Sequence, residues 1–173
     1  MILGMSIPTF TLVHTALSLV GIFAGLVVLL GMFRSKPLQG WTFVFLVTTV
    51  LTSVTGFLFP VERILPSHVV GVISLGVLAV TLAALYIYRL AGSWRWLYVA
   101  TAVFALYLNV FVGVVQAFGK VPFLNALAPK QTDLPFIVAQ GLVLVIFIYF
   151  GIKAVRSFHP EISARTVRGA MPA

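Results

Sequence analysis

Two histidines, His14 and His68, are the side chains of this sequence best suited to chemistry. His14 lies well inside the first long apolar run, and His68 stands where a later run begins, directly after the stretch FPVERILPS. A neutral imidazole can ligate a haem iron or hydrogen-bond to a small molecule. Two histidines in one half of a membrane are the minimum for a b-type haem with two histidine ligands. A haem held by His14 and His68 is therefore one hypothesis.

Other polar side chains recur at helical spacing near these histidines. His14, Ser18 and Gly21 follow steps of four and three, which places them on one helical face. Asn109 and Gln116 share a face of a later run in the same way. Polar groups inside a membrane usually face the interior of the bundle. We therefore predict an outward-facing ligand cavity formed by His14, Ser18, Ser53, His68, Asn109, Gln116 and Gln140, with Glu62 and Arg63 at its lip.

An apolar small molecule is a second hypothesis for the occupant of this cavity. One histidine, one carboxamide and one hydroxyl can hold the carbonyl oxygens of a quinone, and a lipid makes similar demands. The sequence itself requires no cofactor, so quinone, lipid and haem all remain open. A divalent metal is disfavoured, because His14 and His68 have only Glu62 nearby as a further ligand.

The composition identifies the solvent of this protein as largely lipid. Its 173 residues are 61% hydrophobic and 8% charged, whereas a soluble domain carries about 25% charged residues. The net charge of +8 comes from basic residues that stand singly in short loops and in the C-terminal tail. Nucleic-acid binding needs basic residues gathered on one soluble face, so that class is excluded.

The apolar runs predict an all-α integral membrane protein. A span needs about 20 apolar residues, and five runs meet that length: 9–33, 41–59, 68–90, 94–118 and 135–155. We predict that residues 1–158 form a bundle of five transmembrane helices and that 159–173 form a basic cytoplasmic tail. The connection GKVPFLNALAPKQTDL suits a loop or a short helix at the membrane interface.

The basic residues predict the orientation of this bundle. The N-terminal side of the membrane would carry Arg63, Lys120 and Lys130, and the opposite side would carry the other eight. Cytoplasmic loops are enriched in Lys and Arg. We therefore expect the N-terminus outside and the C-terminus in the cytoplasm, with all three tryptophans at the cytoplasmic boundary.

The residues favour a non-catalytic protein. The chain has no cysteine, none of the predicted spans carries an interior Asp, Glu or Lys, and common hydrolase and phosphate-binding motifs are absent. The leading hypothesis is an accessory or assembly subunit of a membrane complex, with another membrane protein or a second copy of the chain as its partner. A binder of a quinone, lipid or haem is the alternative, and a small exporter or channel is a further one.

The run TTVLTSVTGFLFPVERILPSHVVGVISL resembles small multi-span inner-membrane proteins of bacteria, a group to which no established function is attached. The resemblance extends over nearly the whole chain. It implies a multi-pass protein of the bacterial cytoplasmic membrane and leaves the chemistry open.

Overall fold

The computed structural model describes residues 1–60 and 66–160, and it is helical throughout apart from loops and one isolated bridge between Ile2 and Met5. The predicted lip residues Glu62 and Arg63 and most of the predicted tail lie outside these ranges. Six α-helices are described: α1 (Ile7–Phe33), α2 (Gln39–Gly56), α3 (Pro66–Leu82), α4 (Trp94–Lys120), α5 (Pro122–Leu127) and α6 (Leu134–Ser157). The prediction of an all-helical bundle is confirmed.

Four of the helical segments are long and apolar enough to cross a membrane: Ile7–Phe33, Ser67–Ile87, Trp94–Lys120 and Leu134–Ser157. This number indicates a multi-pass membrane protein. Helix α2 is not among the four; it has 18 residues, and six of them are Thr or Ser. A fifth span through α2 therefore stays a prediction, as does the orientation.

The helix starts follow from local sequence. At the start of α1, the Ser6 hydroxyl accepts a hydrogen bond from the Thr9 amide at 3.3 Å, and Pro8 lies in the first turn. Proline also opens α5 and α6, where its missing N–H is not needed. The Asp133 carboxylate, just before α6, accepts a hydrogen bond from the Lys130 amide at 2.8 Å. The short α5 gives the fourth connection one of its two predicted forms.

Helices α1 to α4 form a four-membered ring, because α1 packs on α2, α2 on α3, α3 on α4 and α4 on α1. Helix α6 packs outside this ring against α4 and α1. Consecutive helices of the ring run antiparallel. One end of the ring therefore contains the starts of α1 and α3 and the ends of α2 and α4, and the other end contains the opposite termini. Most of the apolar core lies at the end where α1 finishes and α4 starts, and it includes Leu29, Met32, Phe45, Leu46, Val99 and Leu106.

Helix α3 does not end as an ordinary α-helix. Residues Ala83–Ile87 form a π-helical turn, in which the Tyr88 amide donates to the Ala83 carbonyl at 3.0 Å. Arg89 and Leu90 then take positive φ values of 47° and 60°. The Tyr88 ring stacks on Trp94 at a centroid distance of 3.6 Å, which joins this turn to the start of α4.

Candidate functional site

A cavity of about 520 Å³ lies at the end of the ring where α1 begins. All four helices of the ring line it: the first half of α1, the last turns of α2, the start of α3 and the last half of α4. Six of the seven side chains predicted to form a ligand cavity lie on its walls, namely His14, Ser18, Ser53, His68, Asn109 and Gln116. The structure thus brings these six together; that they bind a ligand stays a prediction.

The seventh predicted residue, Gln140, lies elsewhere. It belongs to α6, outside the ring, and it is not among the cavity residues. Its side-chain amide donates to the Phe111 carbonyl of α4 at 3.1 Å, and its side-chain oxygen is buried without a partner in the described chain. Gln140 therefore joins α6 to α4.

His14 is held by a chain of two hydrogen bonds. Its Nδ1 lies 2.8 Å from the Thr55 hydroxyl oxygen, and that hydroxyl lies 2.7 Å from the Leu51 carbonyl. The single Thr55 proton completes both bonds only when Thr55 donates to Leu51 and Nδ1–H of His14 donates to Thr55. In the neutral ring, Nε2 is then an acceptor, and none of the described residues bonds to it.

The surroundings of His14 restrict how its ring can turn. The Phe59 ring meets it edge to face at a centroid distance of 5.2 Å. Gly56 lies on another side, where an added Cβ would come to 3.7 Å from His14 Cε1. Bonded through Nδ1 and packed by Phe59, the ring is oriented in advance. Histidines that bind a metal ion through one ring nitrogen are commonly oriented in this way, by a hydrogen bond from the other nitrogen.

His68 lies on α3, which is across the ring from α1 and His14. Its ring packs on Phe57 at a centroid distance of 5.7 Å and an interplanar angle of 38°. Phe57 in turn lies against Gly71, where an added Cβ would meet its ring at 2.8 Å. Both predicted haem ligands thus line a single cavity.

The floor of the cavity consists of hydrogen bonds between helices. The Asn109 side-chain amide on α4 donates to the Thr49 hydroxyl on α2 at 3.1 Å. The Ser53 hydroxyl lies 2.9 Å from the Thr49 carbonyl and 3.1 Å from the Ser74 hydroxyl on α3. These bonds join α2 to α3 and to α4, and they make the floor of the cavity polar.

Some polar groups of the cavity keep unused hydrogen-bonding capacity. The Thr52 hydroxyl oxygen is buried and has no partner in the part of the chain that the structure describes. Lys120, at the last turn of α4, is the only charged side chain among the described lining residues. The remaining walls are largely apolar, with Leu19, Ile22 and Val112 among them. The site therefore combines an apolar body with a few polar groups and one positive charge.

Several of the lining residues were not predicted from the sequence. Thr11 and Thr15 extend the face of His14 and Ser18 by the same helical spacing, so that pattern contains the signal that finds them. Thr52 stands on a hydroxyl-rich stripe of α2, but spacing alone does not distinguish a cavity residue from a packing residue. Lys120 follows an apolar run and was predicted to lie at the membrane boundary, where it could reach a haem propionate.

Comparison of the chain with known protein families, curated proteins and solved structures finds no match. Within residues 1–60 and 66–160, no three His, Asp or Glu side chains are grouped closely enough to hold a metal ion. What the site could bind therefore has to be inferred from the cavity and from the residues that line it.

Proposed function

We propose that this protein binds a small amphipathic molecule of the quinone or lipid class in the cavity of the α1–α4 ring, without catalysing a reaction. The observation that carries this proposal is the pre-oriented His14 ring, which offers Nε2 to a cavity of about 520 Å³. Small-molecule sites usually measure roughly 300–1,000 Å³ and combine apolar walls with a few polar groups. This cavity meets both criteria.

The polar groups define the head of the molecule. Neutral His14 offers an acceptor, Lys120 offers donors and the buried Thr52 hydroxyl can serve as either. A ring or head group carrying both hydroxyl and carbonyl oxygens, as in a quinol and its quinone, satisfies all three. The apolar body would lie against Leu19, Ile22 and Val112, and a long tail would continue into the bilayer.

A b-type haem is the second candidate, favoured by the fact that both His14 and His68 line the cavity. Such a haem would use Nε2 of His14, with Thr55 fixing the ring, and Lys120 would offer a positive charge to a propionate. Bound haem would supply one-electron redox chemistry. These protein residues would hold and orient it and exclude water.

We place the protein in the bacterial inner membrane as a five-span bundle, with α2 as the fifth span, the N-terminus outside and the C-terminus in the cytoplasm. The distribution of basic residues, three on one side and eight on the other, supports this orientation. The cavity would then open towards the outer face. A role as an accessory subunit of a redox complex is compatible with binding a quinone there.

The topology can be tested directly, because the chain contains no cysteine. Single cysteines introduced at Gln39 and at Pro60 flank α2, and cysteines at Ser93 and Gln131 flank α4. In intact cells, a membrane-impermeant maleimide should label Pro60→Cys and Gln131→Cys but not the other two. Equal labelling of Gln39→Cys and Pro60→Cys would show that α2 does not cross the membrane.

The binding proposal is tested by purifying the full chain in a mild detergent and analysing an organic extract by mass spectrometry. We expect a quinone or lipid in near-stoichiometric amount, strongly reduced in the His14→Leu variant. His159→Leu is the matched control, since His159 is exposed and lies near the opposite end of the bundle. An identical extract from wild type and His14→Leu would contradict the proposal.

The same preparation separates the two candidates. Visible spectra of oxidised and dithionite-reduced protein, produced with ample haem supply, should show no Soret band if the occupant is a quinone or lipid. A Soret band that disappears in both His14→Leu and His68→Leu would instead establish the haem. A colourless protein with no organic molecule and a fixed protein partner would point to a purely structural subunit.

A further inference from the structure

A second cavity lies on the outside of the ring, between α4 and α6. It has a volume of about 480 Å³ and forms a groove whose walls are Ala100, Val103, Phe104 and Tyr107 from α4 and Leu144, Phe147, Ile148, Gly151, Ile152, Val155 and Arg156 from α6. Its walls are aliphatic and aromatic except for the Tyr107 hydroxyl and the Arg156 guanidinium. This groove shares no residue with the cavity that contains His14.

The length of the groove matches one leaflet of a bilayer. From Leu144 to Arg156 it follows α6 over twelve residue steps, about 18 Å at 1.5 Å per residue. One leaflet contributes about half of a hydrocarbon core roughly 30 Å thick. An extended acyl chain of a membrane lipid therefore fits along the groove with its head group at the Arg156 end.

Arg156 is the one basic residue among the described walls of the groove, and it is available for a ligand. The neighbouring Arg95 donates from Nη1 to the Val155 and Phe158 carbonyls and so completes the last turn of α6. Lys153 lies over the Phe33 ring, with Nζ 4.6 Å from the centroid. Arg156 is exposed, and it makes no hydrogen bond to another described residue. A guanidinium binds phosphate oxygens in a two-pronged geometry.

We propose that the α4–α6 groove binds one anionic phospholipid, with an acyl chain along the groove and the phosphate on Arg156. The apolar walls hold the chain, and the single positive charge at one end selects the head group. In the proposed orientation this end faces the cytoplasm, where anionic lipids attract basic residues. The site does not depend on what occupies the cavity of the ring.

Native mass spectrometry of the full-length protein in detergent, titrated with dioleoyl phosphatidylglycerol or dioleoyl phosphatidylcholine, tests this site. Wild type should bind the first lipid roughly fivefold more tightly than the second. Arg156→Gln should abolish this preference, and Arg156→Lys should restore part of it. Lys130→Gln, which removes a cation next to α6 at its other end, is the control that should keep the preference.

A second pair of variants tests the groove itself. An added Cβ at Gly151 would lie 3.8 Å from Val103 Cγ1, so Gly151→Ala fits and should leave lipid binding unchanged. Gly151→Leu projects a side chain into the groove and should weaken binding of both lipids. Equal affinity of wild type for the two lipids, or an unchanged preference in Arg156→Gln, would overturn the proposal. A dimer lost in Gly151→Leu with lipid binding intact would show that a second copy covers the groove.

Discussion

The two ends of the α1–α4 ring are made from the same helices but are packed in opposite ways. At the end where α1 finishes, Phe45 and Leu106 are each about 1% exposed and pack against Gly25. At the end where α1 begins, the helices enclose the cavity that contains His14. The first end is packed mainly with Leu, Phe, Val and Met, whereas the second adds Thr, Ser, Asn and His to its apolar walls.

This difference shows how a bundle in lipid can maintain an open space. Hydroxyl groups at the cavity end bond to carbonyls of their own helix, as Ser53 does to Thr49 at 2.9 Å and Thr55 to Leu51 at 2.7 Å. Short side chains whose needs are met locally do not have to reach across the ring. The helices are held together instead by close packing at the other end and by a few polar contacts at the cavity floor.

The largest effect should come from emptying the packed end. Phe45→Ala removes a fully buried ring and should lower the free energy of unfolding by about 3 kcal/mol. Phe57→Ala is the matched control at the cavity end, where the ring is 37% exposed, and should lower it by less than about 1 kcal/mol. Reversible unfolding in mixed micelles would measure both. Equal losses would refute the contrast between the two ends.

Adding a methyl group at each end should also distinguish the two ends, through a smaller difference in the free energy of unfolding. A Cβ at Gly25 would lie 2.5 Å from Leu106 Cδ1, and one at Gly113 would lie 3.5 Å from Ile22 Cδ1. Overpacking costs about 1–3 kcal/mol, so Gly25→Ala should destabilise the protein by about 2 kcal/mol. Gly113→Ala should be neutral or slightly stabilising, because alanine is the better helix former. The same unfolding measurement applies, and a neutral Gly25→Ala would mean that Leu106 and Phe45 readjust freely.

Removing the bond that orients His14 should affect binding more than stability. Thr55→Val deletes the acceptor for Nδ1–H, and a neutral hydrogen bond contributes about 1 kcal/mol. We expect roughly fivefold weaker binding of a benzoquinone probe with a short alkyl tail, measured by equilibrium dialysis. Thr81→Val, a buried hydroxyl remote from the cavity, is the control and should leave binding unchanged. Equal affinity of Thr55→Val and wild type would show that the bond does not position the ring.

The smallest expected effect on stability is the loss of a hydrogen bond at the cavity floor. The Asn109–Thr49 bond joins α4 to α2, and such bonds within membranes contribute about 0.6 kcal/mol. A double-mutant cycle with Asn109→Leu and Thr49→Val should give a coupling free energy of that size. A coupling near zero would mean that the contact adds nothing to the association of these helices.

Hydropathy predicted the helices well, because long apolar runs are read directly from the sequence. Each predicted span starts within two residues of a helix start, as at 94 for α4 and at 135 for α6, which begins at Leu134. The end of α3 differed: residues 83–88 stay apolar, whereas the backbone changes to a π-helical turn and then leaves the helix. Composition carries no signal for that change in hydrogen bonding.

Helical spacing was also sufficient to gather six cavity residues, since each lies on the inner face of a helix in the ring. It failed to place Gln140, because depth along a span does not show which helices form the ring and which pack outside it. The bond from His14 to Thr55 was equally out of reach. It depends on the relative rotation of α1 and α2, which local periodicity does not determine.

The π-helical turn at the end of α3 makes the length of this helix adjustable at one place. In a π-helical turn the amide bonds to the carbonyl five residues earlier, whereas in an α-helix it bonds to the carbonyl four residues earlier. The π-helical turn therefore contains one additional residue. Deleting one residue within Ala83–Ile87 would let the turn close as ordinary α-helix, leaving Ser74 and His68 in register with their neighbours. The same deletion near Ser74 would rotate the preceding part of α3 by about 100° and turn His68 away from the cavity. Natural variation in the length of this protein is therefore best tolerated at the turn, far from the site.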